Sequence, residues 1–558
     1  MNRMLTVYPV SSLEKVFPDE RPGGAPCRGG TALRNERHAF QVAWYWAAPT
    51  LDDVALAVDS GLARFVRLYE VGLVPSDLPN WFERDDDVLR TAPGLFPDPL
   101  YECGARTISL LPEQWRAVWV EIDGTAGDLP AGLHDIDVVF SHGAGEARRE
   151  LGRAGYRLEV LAAGLPPQTV CHTEWFHADC LANHYGDTVF SEAHWRRVEQ
   201  FVAMATAHGI DTLLTPLFTP PLDTAEGGER TTVQLVDVQV LSGTDADAVY
   251  RFGFERLDRW LAMGDRQGVR CFEMSHLFTQ WGAAHAPKIL ATGMDGILAR
   301  RFGWDTDAGG AAYAAFLDQF LPELVRHLEE RGYGGRVLFH VSDEPSLGQL
   351  ASYRAAASLL GRHVGDKPVI DALSDFDFYA HGLVAQPVSA NNHIEPFVEA
   401  GVPDLWVYYC CAQGVKVANR FFCMPSYRNR ILGMQMFRYD IKGFLHWGYN
   451  FYSRRWSLGA VDPFRVTDAG GAFPSGDPFL VYPGEDGPVP SLRLKVLADA
   501  FQDLRALQAL TVKAGKEAVV RLMEEGLAEP VTFSEYPRNA AWLLATRDRI
   551  NRALARQV

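Results

Sequence analysis

From about residue 170 onward, short apolar runs of strand-forming residues alternate with longer stretches at helical spacing, and few folds accommodate that pattern. Parallel strands cannot be joined by a tight turn; each crossover needs a dozen or more residues, usually a helix. The alternation therefore points to a parallel sheet covered by helices. Eight strands are expected, over residues 172–176, 212–217, 269–275, 337–341, 368–373, 386–390, 405–409 and 443–449. After the third, Tyr313, Phe316, Leu317, Phe320, Leu321, Leu324, Val325 and Leu328 mark one face of a helix. Ser191 suits the N-cap of another, and Gly209 its stop. Eight strand–helix units fit a (β/α)8 TIM barrel, the sixth having only a short helix around 394–400.

The residues before this region read as mostly β. Large apolar residues alternate at Phe40, Val42, Trp44 and Trp46, and again through 136–138 and 156–160, with 115–122 a further strand. Short strands between turn signals suggest a β-sandwich. Gly164-Leu165-Pro166-Pro167-Gln168 reads as a linker. The expected organisation is α/β overall: an N-terminal β-sandwich domain over 1–165, a catalytic barrel over 166–512 and a short helical C-terminal extension over 513–558. Three long insertions interrupt the barrel. Residues 220–242 read as a hairpin over its mouth, while 277–310 and 451–487 are rich in aromatics and glycine, the kind of loops that carry specificity.

The chain has 558 residues and a formal charge of −17, from 53 basic and 70 acidic residues, which argues against nucleic acid or an anionic membrane as partner. No uncharged apolar run is long enough for a membrane span, and the N-terminal segment lacks a signal-peptide core. Eight cysteines are too sparse for a disulfide scaffold, and the adjacent Cys410 and Cys411 are poorly placed to bridge each other. Reduced thiols and a cytoplasmic location are expected. The sequence leaves a homo-oligomer open.

Within the barrel region, Arg336-Val-Leu-Phe-His-Val-Ser-Asp-Glu-Pro345 stands out. It reads as a buried strand that ends on two carboxylates, Asp343 and Glu344, where parallel α/β folds put their chemistry. By strand alternation, Val337, Phe339, Val341 and Asp343 share one face, and Leu338, His340, Ser342 and Glu344 the other. The simpler alternative is a helix N-terminus, where acids complement the dipole and proline is tolerated.

If the barrel closes, the strand ends share one mouth. Trp175, His177, His276, Asn391, Asn392, Tyr408, His446, Trp447 and Tyr449 are the substrate-binding candidates there. Aromatic faces beside acids, amides and imidazoles suit a neutral polyhydroxylated ring. Each aromatic taken singly could instead fill core. His172, His177, Asp179, Cys180 and His184 lie close in sequence, but none of the compact zinc spacings is present. Phosphate-loop, dinucleotide and nucleophile-elbow motifs are also absent. No metal or cofactor is expected.

Three segments carry a resemblance. Val341-Ser-Asp-Glu-Pro345 resembles the Asp-Glu strand end of glycoside hydrolase family 123 and the related domain-of-unknown-function 4091 proteins. Ser475-Gly-Asp477-Pro-Phe-Leu-Val-Tyr482-Pro-Gly484, with Pro490-Ser-Leu-Arg493, is similar to their C-terminal signature, and Gly443-Phe-Leu-His-Trp447-Gly-Tyr449-Asn450 to their eighth strand. After Arg493 the chain departs from the more acidic and aromatic pattern of those relatives. The resemblance implies a retaining exo-β-N-acetylgalactosaminidase using substrate assistance. Glu344 would be the general acid and base, and Asp343 would orient the 2-acetamido group. Tyr408 or Tyr449 would bind the acetamido oxygen and Trp447 would floor the sugar. Two alternatives stay open. One is a glycosidase of the same fold acting on a non-acetamido sugar with Glu273 or Asp375 as nucleophile; the other is a non-catalytic carbohydrate-binding barrel.

Overall fold

In the computed structural model, residues 4–104, 107–127 and 129–556 are described. The expected N-terminal and C-terminal segments therefore each lose their outermost few residues, which lie outside this range. The N-terminal region forms two five-stranded sheets. The first contains β1 (Leu5–Ser11), β3 (Arg37–Trp46), β5 (Val66–Ser76), β6 (Gly94–Glu102) and β8 (Trp115–Asp123). The second contains β2 (Gly29–Leu33), β4 (Leu51–Asp59), β7 (Ile108–Leu110), β9 (Gly132–His142) and β10 (Arg149–Leu161).

Alternation along β3 and β8 divides the first sheet between two cores. Phe40, Val42, Trp44, Val118, Val120 and Ile122 join residues of the second sheet in a core of their own. Ala43, Trp115, Ala117 and Trp119 belong instead to the large core that runs through the helical layer of the barrel. A sheet apolar on both faces has to be covered on both.

The barrel strands are β11 (Cys171–Glu174), β12 (Thr212–Thr215), β15 (Cys271–Met274), β18 (Val337–Leu338), β19 (Ile370–Leu373), β20 (Gln386–Ala390), β21 (Trp406–Tyr408) and β22 (Gly443–His446). They pair in parallel in the order β18-β15-β12-β11-β22-β21-β20-β19. The ends meet where Phe339 bridges Val369, so the sheet is nearly closed. All eight expected strands are present, most of them shorter than the apolar runs that announced them.

A helix follows every barrel strand. These are α1 (Ala178–Tyr185) and α2 (Glu192–Ala207), α3 (Glu255–Gln267), α4 (Ala311–Glu330), α5 (Leu350–Val364), α6 (Asp377–Ala380), α7 (Glu395–Glu399), α8 (Ser426–Arg430) and α9 (Leu432–Arg438), and α10 (Leu492–Ala514). The Ser191 side chain accepts from the His194 amide to cap α2, and Ser491 caps α10 the same way. Helices α11 (Lys516–Met523) and α12 (Ala540–Arg556) complete the described chain. Among the described residues, no helix is long and apolar enough to cross a membrane.

The first insertion does not fold back on itself as expected. Its last stretch, β13 (Asp237–Ser242), pairs with the following β14 (Val249–Gly253), and β16 (Ile289–Thr292) and β17 (Leu298–Phe302) from the second insertion extend the sheet. The hairpins β13–β14 and β16–β17, each marginal alone, support one another in four strands.

Side-chain ties join the two regions. Arg493, at the start of α10, donates 2.9 and 2.8 Å hydrogen bonds to both carboxylate oxygens of Asp98 on β6, and the Tyr482 hydroxyl donates to the same carboxylate at 2.5 Å. Lys495 pairs with Glu121 of β8 at 2.8 Å, and Arg547 of α12 with Glu36. The C-terminal signature thus does structural work: Arg493 also holds the carbonyls of Gly476 and Phe479.

Candidate active site

Strand β18 is barely two residues long because the chain changes partner early. The Phe339 amide donates to the Pro368 carbonyl and the Ile370 amide to the Phe339 carbonyl, which steers the segment toward β19. Alternation holds as far as Val341: Val337, Phe339 and Val341 join the outer core, and Leu338 the inner one. Beyond that it fails. The Glu344 amide donates to the Ala372 carbonyl at 3.1 Å, the Trp281 amide to the Asp343 carbonyl at 3.0 Å, and Glu344 takes φ 43°. This turn brings Asp343, expected on the outer face, to the same cavity as Glu344. Nor are the two acids a helix N-terminus. Ser346 and Gln349 make a capping box for a short 3-10 turn, and α5 begins only at Leu350.

The cavity has a volume of about 230 Å³. Asp343, Glu344, Trp175, Tyr408 and Trp447 line it, as do Asp223, Gln280, Trp281, Cys410, Cys411, Arg455, Trp456 and Phe473. The Tyr408 hydroxyl donates to Glu344 Oε1 at 2.7 Å. The Trp447 indole donates to Asp477 Oδ2 at 2.9 Å, which fixes the ring plane. Gly448 permits that contact, because a Cβ there would meet the Asp477 carbonyl at 2.7 Å.

Electrostatics push both acids toward their protonated forms. Glu344 still reaches solvent through the cavity mouth, yet protein crowds its carboxyl. That desolvation raises its pKa, opposed only by the Tyr408 hydrogen bond. Asp343 lies well above the ordinary carboxylate range, first through burial and then through the neighbouring Glu344, with His340 opposing. The pair shares its protons, so the two titrate as a unit.

Behind the cavity wall lies a buried chain of charges. His340 donates from Nε2 to Glu273 at 2.5 Å and from Nδ1 to Asp371 at 3.3 Å. Burial would lower its pKa, but the two carboxylates more than offset that and raise it to about 9. Glu273 also accepts from the Trp175 indole at 2.7 Å and from Thr173. Asp371 accepts from Tyr353 and, at 3.0 Å, from the Val341 amide, two residues before Asp343.

Of the substrate-binding candidates, Trp175, Tyr408 and Trp447 reach the cavity and six do not line it. His177 is buried under Trp447, donating to its carbonyl at 2.9 Å and accepting from Arg230 at 3.1 Å. His276 stacks on His340 with ring centroids 4.2 Å apart. Asn391 is fully buried and donates to the Ala418 carbonyl at 2.9 Å. The exposed Asn392 accepts from Gln413 at 3.2 Å. His446 accepts from Arg420 at 2.7 Å and from the Gly448 amide at 2.9 Å, behind the Trp447 ring. Tyr449 lies in the outer core against Phe176, its hydroxyl donating to the Phe201 carbonyl at 2.8 Å. Strand β22 ends at His446, so period-two alternation no longer governs where Tyr449 points.

The expected reserve nucleophiles are also occupied. Glu273 is fully buried behind Trp175, and Asp375 accepts from the Asp377 amide at 3.0 Å, a turn contact. The carboxylate that sequence reading missed is Asp223, on the cavity wall. Burial raises its pKa to about 6, although the Trp456 amide donates to it at 2.8 Å. Among the described residues, one group of His276, His340 and Asp371 comes close enough to share a metal ion. Both ring nitrogens of His340 are already bonded to carboxylates, so the donor set does not fit. In the cluster around residue 180, Asp179 is spent on Arg230 at 2.9 and 3.0 Å.

A sequence model of the glycoside hydrolase 123 catalytic domain matches residues 175–510. The chain belongs to the glycoside hydrolase 123 family. It is a glycoside hydrolase, with a carbohydrate as substrate. No functionally curated protein matches the chain. Among solved structures, a family 123 glycoside hydrolase from Clostridium perfringens, described for glycolipid glycan hydrolysis, superposes with a TM-score of 0.72. Identity is 14%, over 99% of this chain and 98% of that one, so the shared fold includes the N-terminal sheets. A termite-gut GH10 xylanase with an Ig-like domain reaches a TM-score of only 0.33 at 10% identity, covering 86% of this chain and 100% of its own, which is too low to carry an argument.

Proposed function

We propose that this glycoside hydrolase removes a terminal β-linked 2-acetamido sugar, N-acetylgalactosamine-like, by a retaining, substrate-assisted route on its (β/α)8 barrel. The observation that carries the reading is the adjacent pair Asp343 and Glu344 on one cavity of sugar-ring size, both with raised pKa values. A glycosidic oxygen leaves poorly unless protonated as its bond breaks. Glu344 supplies that proton, and its raised pKa keeps it protonated further toward neutral pH. The substrate's own acetamido oxygen attacks the anomeric carbon from the opposite face, giving an oxazolinium ion. With the proton that the pair shares held on Glu344, the Asp343 carboxylate accepts the acetamido N–H and stabilises the positive charge as it forms. Glu344, now a carboxylate, activates the water that opens the ring. Trp447, anchored by Asp477, floors the sugar, and Trp175 walls it. The family match over 175–510 supports assigning this chemistry to the expected catalytic unit, 166–512.

Asp223 favours a second reading. It is a cavity-lining carboxylate that could serve as nucleophile for a sugar lacking the acetamido group. An N-acetylgalactosamine-thiazoline, which mimics the oxazolinium ion, separates the two. Tight competitive inhibition is expected; absence of binding, with hydrolysis of plain galactosides lost in Asp223→Asn, would favour the second reading.

A further inference from the structure

Two groups on the cavity wall have no part in that chemistry: the thiols of Cys410 and Cys411. They follow Tyr408 at the end of β21, are free and half-buried, and face the space lined by Asp343 and Glu344. Their backbone is held tightly. The Cys410 amide donates to Gln413 at 2.8 Å, the Cys410 carbonyl accepts from Asn419 at 2.8 Å, and the Cys411 carbonyl from the Trp81 indole at 2.7 Å. The two thiols are close enough for Cys411 to raise the pKa of Cys410.

What such a pair can hold follows from geometry. Adjacent Cα atoms across a trans peptide are about 3.8 Å apart, below the roughly 4.4 Å minimum of ordinary disulfides, so a direct sulfur–sulfur bond is strained. One larger atom bonded to both sulfurs spans the gap without that strain. Zinc is a poor choice, because it takes four ligands. Among the described residues, no third histidine, cysteine or carboxylate atom stands within ligand reach of the pair. A centre that needs only two sulfurs and brings its own third substituent is satisfied. The neighbouring Cys411, with burial, also pushes the Cys410 thiol up, which disfavours thiolate-driven oxidation or simple alkylation.

We infer that Cys410 and Cys411 form a dithiol site for monosubstituted trivalent arsenicals, and that filling it closes the substrate cavity. In the reaction of an arsine oxide with the pair, two S–H bonds and the As=O bond break and two As–S bonds form. The oxygen leaves with both protons as water, and arsenic stays trivalent. A cavity of about 230 Å³ has no room for both an aryl-arsenic group and a sugar ring beside Glu344. Capture of arsenic does not depend on the proposed glycosidase chemistry; the closure does.

The test uses the full chain and one equivalent of phenylarsine oxide, read by intact mass and by hydrolysis of a chromogenic N-acetylgalactosaminide. A rival pair exists at the opposite end of the barrel, where the Cys171 and Cys271 thiols also influence one another's ionisation. One phenylarsenic group is expected on the parent chain and on C171S/C271S, none on C410S/C411S, with removal by 2,3-dimercaptopropanol but not by a monothiol. Hydrolysis should fall in proportion to arsenic bound, and the thiazoline should slow capture. Thermal melting checks that each variant is folded, and the single variants C410S and C411S should bind only monothiol-labile arsenic. No adduct, or an adduct retained by C410S/C411S, overturns the site. A full adduct with undiminished hydrolysis overturns the closure. Should the chromogenic substrate not be turned over at all, the mass readout and thiazoline protection still decide the site.

Discussion

Asp503 and Asp343 are both set deep among protein atoms, yet the fold holds the first charged and leaves the second near its proton. Asp503 takes two hydrogen bonds from Arg430, at 2.8 and 2.9 Å, and one from Arg547 at 2.7 Å. Burial alone would raise its pKa; the two guanidiniums more than offset that and hold it below the ordinary value. Its neighbours Glu36 and Asp499 share what remains of those cations. Both are pushed up by burial, Asp499 to about 7. Among the described residues no guanidinium compensates Asp343 at the cavity; what opposes its burial is the imidazolium of His340, already shared between Glu273 and Asp371. A buried acid given its own cation is architecture, while the cavity acid denied one joins Glu344 in a proton-carrying pair.

The largest expected effect tests the carrier side. Glu344→Gln should cut kcat by about 10²–10⁴-fold while leaving the melting temperature unchanged, since the amide still accepts from Tyr408. Equal turnover by the variant would refute the contrast. On the architectural side, Asp503→Asn leaves Arg430 and Arg547 short of a counter-charge. It should cost about 3 kcal/mol of stability in denaturant titrations with kcat preserved. Asp343→Asn should lower kcat/KM for 2-acetamido substrates by about 10²–10³-fold and that for plain galactosides much less.

His340 gives a pH test. Its folded pKa of about 9 lies above the ordinary 6.5, so the folded chain binds this proton more tightly than the unfolded one. The stabilisation is complete below pH 6.5 and is lost as pH rises to about 9, an effect of about 3 kcal/mol. Denaturation midpoints across that window should fall in the parent chain and stay flatter in His340→Asn. The smallest effect belongs to Tyr408→Phe. Tyr408 lowers the Glu344 pKa, so its loss should move the basic limb of the pH–rate profile upward, with only a small change in kcat.

The barrel was legible in the sequence because its strands are apolar runs of the right length at the right spacing, and all eight lie where those runs predict. The acid pair was legible because it sits at such a strand's end. Side-chain direction just past a strand end was not. Asp343 was assigned by alternation, which holds only to Val341, and Tyr449 by its place at the end of an expected strand that stops at His446. The missed part of the cavity has a more specific cause. Asp223, Trp281 and Trp456 reach it from insertions in which each takes a left-handed backbone, φ 40°, 59° and 59°. Non-glycine residues rarely adopt that region, and nothing in their identity announces it.

The tie between Asp98 and Arg493 has a consequence for how the chain is made. Those residues are 395 positions apart, Glu121 and Lys495 are 374 apart, and Glu36 and Arg547 are 511 apart. An acid buried without its cation costs several kcal/mol. The N-terminal sheets therefore cannot reach their final packing until α10 and α12 have been synthesised, hundreds of residues later, and until then their charged partners do not exist.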